Sequence, residues 1–271
     1  TGQRNISIGA RAIENNTTGN YNTAVGYEAI ETNTTGSNNT AVGHKALEAN
    51  TSGTNNVAIG FNSLNSNITG DSNTAIGYQA LDASTASNNT AVGSQALGTN
   101  TTGTYNVAVG SLALDASDTA SSNTALGYAA LTTATTAAHN VAVGSNALYD
   151  CTTGNYNAAV GKGAGQNITT GTLNCFLGAA VFETATECNN NVGVGTSFAD
   201  NIYKVEGTVT SNTGIVTVFC NINSTTGITP ITGPKLGDYS FGKLTNLTRS
   251  TTDPKVFNIN TTNGYTGIRS E

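Results

Sequence analysis

Asn22-Thr23-Ala24-Val25-Gly26, continued by Ala29-Ile30 and closed by Thr34-Thr35-Gly36, returns as Asn39-Thr40-Ala41-Val42-Gly43, Ala46-Leu47 and Thr51-Ser52-Gly53. Working outward from this pair, the leading asparagine recurs at Asn5, Asn56, Asn73, Asn89, Asn106, Asn123, Asn140, Asn157, Asn174 and Asn191. Each stands four residues before a glycine, and the interval is seventeen residues except between Gly77 and Gly93, where it is sixteen. A unit this short cannot bury an apolar face alone, so a strict period means one unit stacked on copies of itself. The pattern predicts an all-β chain: a parallel β-roll, or β-solenoid, of twelve 17-residue coils over 1–199, followed by a small antiparallel β domain over 200–271.

Within one coil, Thr-Thr-Gly is a turn signal, and the glycine at Gly26 supplies backbone angles closed to other residues. Two short strands and two turns per coil are expected. Period-two alternation puts Thr23 and Val25 on one side of the first strand and Asn22 and Ala24 on the other. The branched aliphatic series through Val25, Val42, Ile59 and Ile76 is assigned to the interior, facing a wall of Ile30, Leu47, Leu64 and Leu81. Two large aliphatic side chains per coil then contribute on the order of 3–6 kcal/mol before chain entropy opposes them.

The opposite side of that strand is alanine at Ala24, Ala41, Ala58, Ala75, Ala91 and Ala108. A solvent-facing row is expected to vary, so constant alanine predicts close approach of another backbone and a chain–chain interface; the alternative is that a narrow roll points this row inward. The column Asn22, Asn39, Asn56, Asn73, Asn89 and Asn106 reads as a structural amide ladder, since each amide carries both a donor and an acceptor. Toward the end the columns change, with Gly165 and Phe182 among the leucines and Phe176 and Gly193 among the alanines, as expected of coils that cap a stack. From Asp200 the repeat stops and all three prolines appear, among alternating stretches at 204–210, 214–222, 239–244 and 255–259 that read as strands.

Composition excludes several function classes. Only 10% of residues are charged and the net charge is −6. The repeat carries Arg4, Arg11, Lys45 and Lys162 against eleven acids, so the basic surface that nucleic acid requires is missing. No apolar run is long enough to span a bilayer. A chain that begins Thr-Gly-Gln-Arg is expected to be a processed or trimmed product, with any anchor in its flanks. Cys151, Cys175, Cys188 and Cys220 show no metal-ligand spacing and read as buried thiols or one or two disulfides.

Catalysis needs unlike groups that converge, whereas here the polar residues are ranked in identical columns. No nucleophile elbow, zinc helix or aspartate-rich calcium loop is found. Gly161-Lys162-Gly163-Ala164-Gly165 looks like a phosphate loop, but Gly161 is the regular repeat glycine. Glu28 and Glu31 read as solvated surface. No enzyme activity, cofactor or metal is therefore expected. Tyr27, His44, Phe61 and Tyr78 follow the glycine in four successive coils and form either a glycan-binding stripe or a stabilising side-chain stack. Thr18, Thr35, Thr69 and Thr102 raise an ice-binding plane as an alternative, though they fall in turns. Asn-x-Ser/Thr sequons are abundant and include Asn16, Asn33, Asn50, Asn67, Asn100 and Asn246.

The unit Asn-Thr-Ala-Val/Ile-Gly-x-x-Ala-Leu with Thr-Thr-Gly turns resembles the head repeat of trimeric autotransporter adhesins and, more closely in its Ala-Leu pair, the repeat region of viral and bacterial tail-fibre proteins. The resemblance covers about 195 residues; the adhesin unit is usually shorter, and the tail carries neither family's motif. It implies a rod on a cell or virion surface, a homo-oligomer (trimeric) presenting the C-terminal unit, with a glycan or receptor as a further partner. A head-to-tail filament is the alternative assembly.

Overall fold

Three residues of β-branched or small type, bounded by an asparagine and a glycine, form one strand in every coil. In the computed structural model, which describes residues 2–195, 247–249 and 257–259, these strands are β1 (Ile6–Ile8), β2 (Thr23–Val25), β3 (Thr40–Val42), β4 (Val57–Ile59), β5 (Thr74–Ile76), β6 (Thr90–Val92), β7 (Val107–Val109), β8 (Thr124–Leu126), β9 (Val141–Val143), β10 (Ala158–Val160), β11 (Cys175–Leu177) and β12 (Val192–Val194). They make one twelve-stranded parallel sheet in chain order. The register places Val25 against Val42 and Ala24 against Ala41, and the sixteen-residue coil keeps it, pairing Ile76 with Val92.

Only one strand per coil forms, not the expected two. The Ala-Leu segment lies in a turn whose alternate residues are left-handed: Glu28 has φ 56° and Ile30 φ 53°, and Tyr21 before the asparagine has φ 58°. Each left-handed non-glycine residue costs roughly 1–2 kcal/mol. Bonds to neighbouring coils hold the conformation in place: Glu28 N–H donates to Ala10 C=O at 3.1 Å, and Ile30 N–H to Ala46 C=O at 3.0 Å. Each coil is thus stitched to its neighbours on the turn side as well as along the sheet.

Gly26 has φ 144°, and a Cβ there would meet the Gly43 carbonyl oxygen at 2.3 Å. The same crowding recurs up the column, which explains the glycine after every strand.

The core reverses one expectation. Ala24, Ala41, Ala58, Ala75, Ala91 and Ala108 are fully buried, while Val42 and Ile59 are 37% and 38% exposed. The alanine row points inward, and the branched aliphatic row points out. The reason is volume: Ile30, Leu47, Leu64 and Leu81, all fully buried with a second alanine series at Ala29, Ala46 and Ala80, already fill the narrow cross-section. A second large column inside would overpack it.

Near the end of the stack the column sizes are exchanged in pairs. Phe176 takes an alanine position and is buried; a Cβ at Gly165, in the leucine column one coil earlier, would lie 2.8 Å from its ring. Phe182 stacks on Phe176 with centroids 4.9 Å apart, and a Cβ at Gly193 would meet the Phe182 ring at 2.7 Å. Each added ring is housed by a glycine in the adjacent coil.

The chain divides into two compact units. In the second, β13 (Leu247–Arg249) pairs antiparallel with β14 (Phe257–Ile259). The latter falls in the expected 255–259 stretch; the stretches at 204–210, 214–222 and 239–244, and the boundary at 199/200, lie outside the described residues. Among the described residues no helix is long and apolar enough to cross a membrane.

Candidate functional site

The asparagine column is structural, but its bonds run mainly to backbone. Asn22 Oδ1 accepts from the Asn39 backbone N–H at 2.9 Å, and Asn22 Nδ2 donates to Gly36 C=O at 2.8 Å. Asn39, Asn56, Asn73, Asn89 and Asn106 repeat the pattern, with Ala86 and Ala120 carbonyls as acceptors for Asn73 and Asn106. Each amide therefore clamps the start of one strand to the turn leading into the next. Direct amide-to-amide bonds join this column in the later coils, as from Asn174 Nδ2 to Asn157 Oδ1 at 2.8 Å.

A second amide column was not anticipated. Asn33 Nδ2 donates to Asn16 Oδ1 at 2.8 Å, Asn50 to Asn33 at 2.9 Å and Asn67 to Asn50 at 3.0 Å, and each also donates to the carbonyl of the glycine three residues on. These are sequon asparagines, and Asn33, Asn50, Asn67 and Asn100 are fully buried. The folded coils therefore withhold these four amides from glycosylation, while Asn16 is half-buried and Asn246 lies outside the described residues. The sequence signal was the coupling of Asn to Gly three positions later. A Cβ on Gly36, Gly53, Gly70 or Gly103 would stand 2.4 Å from the asparagine Oδ1. Where the column holds Ser84, Ser117 or Ala134, the turn holds Ala86, Ala120 or Ala137. The column is broken there, and Asn100 Oδ1 and Ser117 Oγ are buried with no partner.

The predicted chain–chain interface at Ala24, Ala41, Ala58, Ala75, Ala91 and Ala108 is corrected. These methyl groups pack inside their own chain and offer no surface to another.

Tyr27, His44, Phe61 and Tyr78 are brought together as a continuous stack, with centroids 5.2, 5.2 and 5.6 Å apart and interplanar angles of 26°, 15° and 11°. Ring faces are turned toward one another along the column, so the faces that a sugar would cover are largely taken by neighbouring rings. His139 and Tyr156 form a second stack at 4.9 Å. Thr18, Thr35, Thr69 and Thr102 are exposed but sit in turns outside the sheet, without a flat ladder.

Glu28 and Glu31 are buried rather than solvated. Arg11 reaches both, and also Glu14 at 2.8 Å, while Lys45 binds Glu28 at 3.2 Å and Glu48 at 3.0 Å. The hydrogen bond from Tyr27, then that from Lys45, holds the Glu28 carboxyl below its usual range against the opposing effect of burial. Glu48, then Glu28, raises the Lys45 ammonium. Oxygens of Glu28, Glu31 and Glu48 lie within 4.8 Å of one another. Arg11 and Lys45 already occupy this carboxylate group, which makes it an ion-pair network joining the early coils.

The loop resembling a phosphate cradle has its amides committed: Gly161, Gly163 and Gly165 donate to Val143, Ser145 and Val181 carbonyls at 2.7, 2.9 and 2.7 Å. Cys151, Cys175 and Cys188 are free thiols, and burial pushes Cys151 and Cys188 up to about 11. Cys175 is exposed on the outer face of β11; Cys220 lies outside the described residues.

What remains is the outer face of the sheet. Both outward positions of each strand are apolar or hydroxyl-bearing, without one charge over twelve rungs. Exposure reaches 47% at Leu126, 50% at Leu177 and 63% at Val194. No known family model, curated protein or solved structure matches the chain.

Proposed function

We propose that this protein is a structural rod, displayed outside a cell or on a virion surface, that associates with copies of itself in a closed, trimeric assembly and presents its C-terminal unit. Its role is mechanical and adhesive rather than catalytic. The reading is carried by one observation: polar residues stand in identical columns whose bonds run from coil to coil, as in Asn22 to Asn39 and Thr34 Oγ1 to Thr51 C=O at 2.9 Å. Side chains spent on stacking give stiffness along the axis and leave few groups to converge on a substrate. Twelve rungs at about 4.8 Å extend roughly 55 Å, enough to act as a spacer.

Sedimentation equilibrium at micromolar concentration tests the association, with negative-stain micrographs for shape. Short rods of defined mass are expected. A monomer refutes self-association, and fibres of unlimited length replace the closed assembly by a head-to-tail filament.

A further inference from the structure

The residue just before each strand-leading asparagine forms a column of its own, and planar cationic or nitrogen-bearing groups lie on its tyrosines. The Arg4 guanidinium lies over the Tyr21 ring at 5.2 Å, and the His139 imidazole stacks on Tyr156 at 4.9 Å and 5° from parallel. Tyr105, Ser122 and His139 follow one another in this column with the same left-handed backbone, at φ 58°, 60° and 59°. Strands β7, β8 and β9 hold them in register, and the Ser122 and His139 N–H groups donate to the Thr104 and Ser121 carbonyls of the preceding coil at 2.9 and 3.2 Å. Tyr105 and His139 therefore stand two rungs apart, about 9.6 Å, with only a serine side chain between them. Tyr105 is the most exposed large hydrophobic residue among those described, at 64%, and it stacks on no other ring among them.

We infer that this interval is a binding notch for a small flat aromatic cation, which inserts between Tyr105 and His139 above Ser122. The same roll shows that two rungs accept one planar ring: His44 sits between Tyr27 and Phe61 at 5.2 Å from each. Charge narrows the ligand class. A tyrosine face attracts a cation, as the placing of Arg4 on Tyr21 illustrates. No lysine or arginine occurs over 46–161, whereas Asp115, Asp118 and Asp150 belong to the coils on either side of the notch, so the local field favours a positive ligand. The Ser122 hydroxyl, engaged by no other group among the described residues, supplies an acceptor at the floor for an N–H of the ligand.

Benzamidine is the probe, followed by its ring-proton NMR shifts with the full chain, and ¹³C-labelled tyrosine and histidine locate the contact. Benzamide has the same flat ring without the charge, and cyclohexanecarboxamidine has the charge without the flat ring. Tyr105→Ala removes one wall. Ser122→Tyr fills the notch from within, and the column already accepts tyrosine at φ 58°, 58° and 57° in Tyr21, Tyr105 and Tyr156. Tyr78→Ala, in the other ring stack, is the control, and circular dichroism checks folding.

The expected result is a saturable upfield shift of benzamidine with a dissociation constant on the order of 1 mM, accompanied by movement of the Tyr105 and His139 signals. Binding weakens at least tenfold in Tyr105→Ala and Ser122→Tyr and stays unchanged in Tyr78→Ala. Benzamide and cyclohexanecarboxamidine each bind about fivefold more weakly, the factor that one exposed cation–π contact supplies. Binding that survives in a folded Ser122→Tyr protein refutes the notch and puts the ligand elsewhere, as in the wider interval between Tyr78 and Tyr128 over Ser94 and Ser111. Equal binding of benzamide overturns the preference for charge, and equal binding of cyclohexanecarboxamidine overturns the stacking. No saturable shift at roughly ten times that concentration overturns the site, and each of these results leaves the rod reading intact.

Discussion

Installing asparagine at Ser117 is expected to weaken the stack if done alone and to strengthen it if Ala120 is changed to glycine at the same time. Ser117 interrupts the second amide column directly after Asn100, whose Oδ1 is buried and unpartnered. A buried acceptor left bare costs about 1–3 kcal/mol, and a new hydrogen bond contributes about 1. In the S117N/A120G protein, the added Nδ2 reaches Asn100 Oδ1 and the carbonyl of residue 120, as Asn50 reaches Asn33 Oδ1 at 2.9 Å and Gly53 C=O at 3.1 Å. Its own Oδ1 accepts from the residue 120 N–H, the arrangement Asn67 makes with Gly70 at 3.0 Å. The glycine costs roughly 0.5–1 kcal/mol in chain entropy, leaving a net gain of about 1–3.5 kcal/mol. S117N alone sets that oxygen near 2.4 Å from a Cβ, as at Gly36; the amide must swing away, so the bond to Asn100 is not made and an overpacking cost of about 1–3 kcal/mol is added. A120G alone loses only the entropy term. Urea unfolding of the four proteins gives the coupling directly. If the double variant equals the sum of the singles within about 0.5 kcal/mol, the amide–glycine coupling is refuted.

Gly43→Ala is expected to cost roughly 2–4 kcal/mol, because φ is 140° and the new methyl meets the Gly60 carbonyl oxygen at 2.4 Å; thermal unfolding within a degree of wild type contradicts this. Burial raises the Asp115 carboxyl above its ordinary value, so its ionised form opposes folding above the raised folded pKa, and that penalty fades as pH falls below the unfolded value near 3.9. Asp115→Asn therefore unfolds at higher urea than wild type at pH 7 and at the same urea near pH 3; a pH-independent difference refutes the assignment. In the native protein at pH 8, iodoacetamide is expected to label Cys175 and to spare Cys151, which is buried with its thiol pushed up to about 11; equal labelling by peptide mapping would count against the core.

The period, the register and the glycine column were legible because a backbone near φ 140° packed against the next coil tolerates only glycine, and that demand repeats every seventeen residues. Alternation along Asn22-Thr23-Ala24-Val25 separated the two faces correctly and then assigned them backwards. Transfer free energy favours valine inside, but Ile30 and Leu47 leave room for only a methyl group beside them, and volume decides. The second strand is misread because left-handed residues at alternate positions, Glu28 and Ile30, leave the same apolar spacing as a strand. Asn33 and Asn50 are not legible as a ladder because each reads as a sequon beside a turn, although the glycine three residues on carries the information. The burial of Glu28 and Glu31 depends on Arg11, seventeen and twenty residues away, a distance that no local pattern encodes.

The paired exchange of ring for glycine at Phe176 and Gly165, and at Phe182 and Gly193, bears on how such a chain can lengthen. Interior coils with alanine and leucine in place are interchangeable, so duplication of one of them adds a rung without offending its neighbours. A coil inserted between the Gly165 and Phe176 levels would bring a leucine against the aromatic ring and leave a hollow beneath the glycine. Growth by unit duplication is thereby confined to the stretch before Gly165, and the final coils are inherited as an indivisible block.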